Sequence, residues 1–147
     1  LTADDRAAAE QQIALLSAAV TAGIGREARQ GHFGVIANFL LAYPVANASA
    51  ESGKARGQAY QQALDDIPAW AIAEAARRWN RGEAGEGHDY KWAPAPAVLR
   101  DVCKASLKPL NDAIDDLRAL LDAMTIDQAM DPAPLPKTAV TALRSVA

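Results

Sequence analysis

The chain predicts an all-α fold: a small bundle of five to six helices with a long C-terminal helix and a proline-rich tail. Three observations predict it. Half of the 147 residues are apolar, and much of that fraction is alanine, which favours helix while burying little area. β-Branched residues are sparse and no alternating apolar–polar run occurs, so strands are not expected. Apolar residues recur instead at helical spacing between glycine and proline stops. The length fits one domain with a modest core.

Thr2 is a good N-cap, with Asp4 and Asp5 in the first turn where the helix dipole favours negative charge. The first helix runs to about Ala22 with Ile13, Leu16 and Val20 on its apolar side, and Gly23 and Gly25 follow. The second spans about Arg26 to Ala42. Its stripe is Phe33, Ile36, Leu40 and Tyr43, widened by Val35 and Phe39, and Pro44 stops it. The third begins near Ser49 or Ser52 and ends by Asp66, burying Tyr60, Ala63, Leu64 and then Ile67. Pro68 suits the first turn of a fourth helix reaching about Arg81, lined by Ile72, Ala75, Ala76 and Trp79. A loop with three glycines covers 82–94. Pro96 opens a fifth helix with Val98, Leu99, Val102 and Leu107 toward the core. Pro109 is expected to kink or restart it, because proline removes a backbone donor and crowds the preceding turn.

A sixth helix then carries Leu110, Ile114, Leu117, Leu121 and Met124 at spacings of four and three, the pattern of a helix–helix seam. This seam either packs on the domain's own core or stands open as a partner-binding arm. The expected organisation is a helical body over 1–108, an acidic amphipathic helix over 109–130 and a flexible tail over 131–147. Pro132, Pro134 and Pro136 mark the tail as a linker, with a short helix around Val140–Val146. The chain opens at Leu1 without methionine, as expected of a piece of a longer protein. No apolar run approaches the ~20 residues needed to cross a bilayer, and a lone cysteine, Cys103, fits a reducing cytoplasm.

Residues able to do chemistry are scattered, and neither an enzyme nor a bound metal or cofactor is expected. His32 and His88 lie on different elements without a ligand partner at metal-site spacing. His32 is expected at solvent or a helix junction, and His88 in a solvated loop. Cys103 falls inside a helix and reads as a buried structural thiol. Ser52-Gly53-Lys54-Ala55 resembles the end of a phosphate-binding loop only briefly. Ala48 stands where its first glycine belongs, Ala55 follows the lysine, and no strand precedes it. Asp65-Asp66 and Asp115-Asp116 are sequence neighbours, which point about 100° apart on a helix and share no proton.

The net charge of −3 conceals an asymmetry. Arg77, Arg78, Arg81, Lys91, Arg100, Lys104 and Lys108 dominate the middle, whereas Asp112, Asp115, Asp116, Asp122, Asp127 and Asp131 face a single Arg118 beyond it. The basic block could meet phosphate, with Tyr90 and Trp92 stacking on bases, or it could be a solvated face with Trp92 folded back as a lid over the core. Arg100, Lys104 and Lys108 share one helix face.

The string Tyr60-x-x-Ala63-Leu64-x-x-Ile67-Pro68, Ala75-x-x-x-Trp79-x-x-Gly82, Pro94-x-Pro96-x-x-Leu99-Arg100, preceded by Leu41-Ala42-Tyr43-Pro44, resembles the phage and prophage replicative-helicase loaders and inhibitors over about residues 36–107. The resemblance implies an all-helical adaptor without ATPase activity. Such an adaptor binds the replicative hexameric helicase and helps deliver it to origin DNA. The arm would be Leu110–Met124 plus the tail, its seam of Leu110, Ile114, Leu117, Leu121 and Met124 lying in a groove or helical collar of the helicase, with Arg100–Lys108 facing DNA. Self-association through the C-terminal helix is compatible with this reading. A DNA-binding regulator and a helical phage structural or assembly protein stay open as alternatives.

Overall fold

The computed structural model describes residues 2–25, 28–45 and 49–130, excepting the side chains of residues 28, 124 and 126–130. Five helices make up the described fold, with no strand among these residues: α1 Ala3–Thr21, α2 Ala28–Leu41, α3 Ala50–Leu64, α4 Ala69–Asn80 and α5 Pro96–Met130. The expected start of the second helix at Arg26, the tail over 131–147 and the side chain of Met124 lie outside the described residues.

Local chemistry sets most helix ends. Thr2 caps α1 reciprocally with Asp5, and Ser49 caps α3 reciprocally with Ser52, so orphan first-turn amides at both helices find acceptors. Pro68 is the N-cap of α4, one residue earlier than a first-turn proline, with extended backbone at φ −65°, ψ 143°. At the other end of α4, Gly82 adopts φ 70°. Its amide donates to Trp79 O, and the Glu83 amide reaches back to Arg78 O. This left-handed glycine stop satisfies carbonyls that the helix leaves open.

α4 is the innermost helix. Ala71, Ile72, Ala75, Ala76 and Trp79 are all buried, and the alanines let neighbouring backbones approach closely. α2 packs against α3 and α4, while α5 packs against α3, α4 and α1. Ile36, Phe39, Tyr60, Leu64, Ile67, Leu99, Val102, Cys103 and Leu107 complete the core. Aromatic polar atoms pin the helices to one another. Trp70 Nε1 donates to Ala19 O at 2.8 Å, Trp79 Nε1 donates to Trp92 O at 3.0 Å, and Tyr43 Oη bonds Asn80 Oδ1 at 2.5 Å. Tyr60 Oη donates to Pro94 O.

Several expectations are corrected. α5 passes through Pro109 as one helix of 35 residues, so no new helix starts there. Pro109 is exposed, so water can solvate the carbonyl that the proline leaves without a donor, and packing on both sides of it holds the helix together. The boundary expected at 108/109 therefore falls inside an element. The seam beyond it faces α1: Ile114 is buried, and Leu110, Leu117 and Leu121 are half-buried. α1 runs antiparallel to α5, with Arg6 Nη1 3.5 Å from Thr125 Oγ1 at one end and Val20 beside Leu107 at the other. Ile13, Leu16 and Val20 of α1 are half-buried, and α1 packs on α5. The seam is thus covered by the chain's own first helix, and this face offers no open arm.

Candidate partner-binding surface

Among the described residues no three His, Cys, Asp or Glu side chains converge as metal ligands. The Cys103 thiol is fully buried, and loss of hydration pushes its pKa up to about 12, so it stays a protonated core thiol at neutral pH. His32 is not at solvent: it is 3 % exposed, and its Nε2 has no hydrogen-bond partner among the described residues. It borders a cleft of about 310 Å³ with Arg29, Gln58, Gln61, Gln62 and Asp65. His88 is half-buried because its ring lies 5.0 Å from Trp79 and 5.9 Å from Tyr90. The lid over Trp79 is therefore His88 and Tyr90, not Trp92. Tyr90 sits 4.9 Å from the indole, and its hydroxyl bonds Gly85 O at 2.5 Å. Trp92 contributes its carbonyl to Trp79 while its side chain is 51 % exposed.

The basic block divides into three groups. At the end of α4, Arg77 grips Glu74 at 2.7 Å and reaches Glu83 at 3.7 Å, Arg81 holds Glu83 at 2.9 Å, and Arg78 donates to Glu83 O at 3.0 Å. The Arg77 hydrogen bonds hold the Glu74 carboxyl below its ordinary range. On α5, the Arg100 guanidinium clamps Asp66 at 2.5 and 2.7 Å and also donates to Ala63 O. Its hydrogen bonds and charge hold the Asp66 carboxyl low. Lys108 meets Asp112 at 2.6 Å. Lys91 and Lys104 have no ion pair among the described residues, and Lys91 stands beside exposed Trp92 in the loop before α5. Most of the cations expected to reach phosphate are thus engaged with carboxylates of this chain.

The largest departure from the sequence reading is an open apolar groove between α2 and α3. It measures about 620 Å³ and is lined by Phe33, Ile36, Ala37, Leu40, Leu41 and Val45 from the α2 side and by Ser49, Ser52, Gly53, Arg56 and Gly57 from α3. Phe33 does not join the core: it is 51 % exposed, Leu41 is 82 % exposed and Val45 50 %. Gly53 and Gly57 stand four residues apart on the groove side. A Cβ at Gly53 would meet nothing within 4 Å, and one at Gly57 would touch Phe33 at 3.7 Å. Mid-helix glycine costs about 1 kcal/mol relative to alanine, and here it deepens a trough that the described residues leave open. Arg56 is the charged residue of the lining and has no carboxylate partner among the described residues.

The signal for this groove was present in the sequence. α2 carries Phe33, Val35, Ile36, Phe39, Leu40 and Leu41 within 14 residues, more apolar surface than one buried stripe absorbs. No protein-family model matches the chain, and no curated protein and no solved structure is similar to it. Fold and surface together define a small helical bundle with an open apolar groove between α2 and α3.

Proposed function

We propose that the protein is a non-enzymatic helical adaptor that receives an apolar helix of a partner protein in the α2–α3 groove. The observation that carries this reading is the exposure of Phe33, Leu41 and Val45 around one trough floored by Ile36, Gly53 and Gly57. Large apolar side chains ringing a concave surface mark interaction sites, and covering each one is worth roughly 1.5–3 kcal/mol. The resemblance of residues 36–107 to helicase loaders makes a phage-type replicative hexameric helicase the first partner to test, and it makes helicase loading or modulation during DNA replication the proposed role. The docking surface in this proposal is the groove, because the seam of Leu110, Ile114, Leu117 and Leu121 lies against α1.

A pull-down with such a helicase tests the reading. Wild type is expected to retain it, and Leu41→Asp, a change at an exposed position, is expected to release it by about 30-fold or more in affinity. Equal retention by the variant would remove the groove from the account. Exposed Trp92 beside Lys91, which has no ion pair among the described residues, favours a second reading, contact with single-stranded nucleic acid at the loop before α5. A salt-sensitive gel shift lost in Trp92→Ala would support it, and a shift unchanged by that substitution would count against it.

A further inference from the structure

A second groove lies on a different set of elements. The end of α1 and the residues just past it supply Val20, Thr21 and Ile24, the α3–α4 turn supplies Asp66 and Ile67, and α5 supplies Arg100, Lys104, Ala105, Leu107, Lys108 and Asn111. The space measures about 670 Å³. Val20, Ile24, Ile67 and Leu107 make its floor hydrocarbon, and Ile24 is 40 % exposed although it is large and apolar. One wall is a row of cations. Arg100, Lys104 and Lys108 are spaced four residues apart, about 6 Å per step along α5.

These three cations are not equivalent. Arg100 is fixed by Asp66 and Ala63 O, so it shapes the wall. Lys104 has no carboxylate partner among the described residues, and its charge adds to the positive potential that holds the Asp66 carboxyl low. Lys108 is paired with Asp112, but both side chains are more than half exposed, and such pairs are weak enough to exchange partners.

We propose that this groove docks an acidic amphipathic helix of a partner protein, its apolar face on Val20, Ile24 and Leu107 and its carboxylates against Lys104 and Lys108. Charge complementarity selects the sign of the ligand. The spacing selects its form, because carboxylates four residues apart on a helix repeat at the same ~6 Å step as the two lysines. The floor selects against nucleic acid: among the described residues no aromatic lines the groove for a base to stack upon. The site is separate from the α2–α3 groove, and the proposal does not depend on the reading of that groove.

Selection from a random library of peptides about 16 residues long, roughly four helical turns, displayed against the whole chain, tests it. Enriched peptides are expected to carry Asp or Glu at four-residue spacing beside apolar residues. Lys104→Glu is expected to weaken them at least about tenfold, high salt to weaken them further, and Lys54→Glu, a charge reversal at an exposed site outside the groove, to leave them bound. Absence of any acidic peptide among those enriched, or equal binding of the acidic peptides by Lys104→Glu and wild type, would overturn the proposal. Binding of a single-stranded oligonucleotide that Lys104→Glu abolishes, with no peptide selected, would likewise overturn it and assign the row of cations to nucleic acid.

Discussion

Tyr60 shows how single atoms fasten this bundle. Its ring is 2 % exposed, and its hydroxyl donates to the carbonyl of Pro94 in a buried contact that ties α3 to the entry of α5. Tyr60→Phe leaves that carbonyl without a donor at a cost of about 1–2 kcal/mol. Thermal unfolding of the variant is expected about 2–8 °C below wild type, and an unchanged midpoint would mean that the bond contributes nothing. Asp66 gives a pH signature. Its folded carboxyl titrates below the unfolded one because Arg100 hydrogen-bonds the ionised form. The stabilisation is therefore present above the ordinary carboxylate pKa of about 4 and fades as pH falls below it. In urea melts, the stability gap between wild type and Asp66→Asn is expected to be open at pH 7 and to narrow progressively as pH falls below about 4; a gap independent of pH would contradict the assignment. At this scale the sequence is readable wherever helical period alone decides burial. Ile72, Ala75, Ala76 and Trp79 are all in the core as their spacing requires. Phe33, His32 and His88 are not readable in that way, because their burial depends on which neighbour covers each side of a helix or loop.

At the scale of elements, Pro109 and Gly53 mark opposite outcomes of local propensity. Proline inside a helix predicts an interruption, yet α5 continues because contacts with α3 and α4 before Pro109 and with α1 after it outweigh one missing backbone bond. Pro109→Ala restores that bond at an exposed position and is expected to raise stability by about 1–3 kcal/mol. A loss of stability in chemical denaturation would show that the proline shapes α5 to its neighbours. Gly53 is the converse case. The position has open space for a Cβ, so Gly53→Ala is expected to stabilise the free protein by about 0.5–1 kcal/mol while weakening a helix seated in the trough. A variant that is more stable and binds its partner as well as wild type would show that the trough is not used. Caps and stops were legible from sequence: Thr2, Ser49, Pro44 and Pro96 all stand at or beside helix boundaries. The pairing of α1 with the second half of α5 was not, since an amphipathic stripe carries no label for the surface that covers it.

For the whole molecule, the all-helical architecture follows from composition and period, whereas the location of the open surface follows from packing order. α1 takes the seam that the C-terminal half of α5 presents, and α2 is left with more apolar surface than α3 and α4 can cover. The result is two grooves on different elements, one apolar with a single guanidinium and one apolar with a cationic wall. Under the two proposals above the protein would join two partners, and the proposed function rests on the α2–α3 groove. Amide hydrogen exchange of the full chain, with and without a phage-type replicative helicase, tests this most directly. The account predicts added protection across Phe33–Leu41 and Gly53–Gly57, with the 110–124 segment unchanged. Protection confined to 110–124, with α2 and α3 exchanging as in the free protein, would contradict it and return the interaction to the C-terminal half of α5.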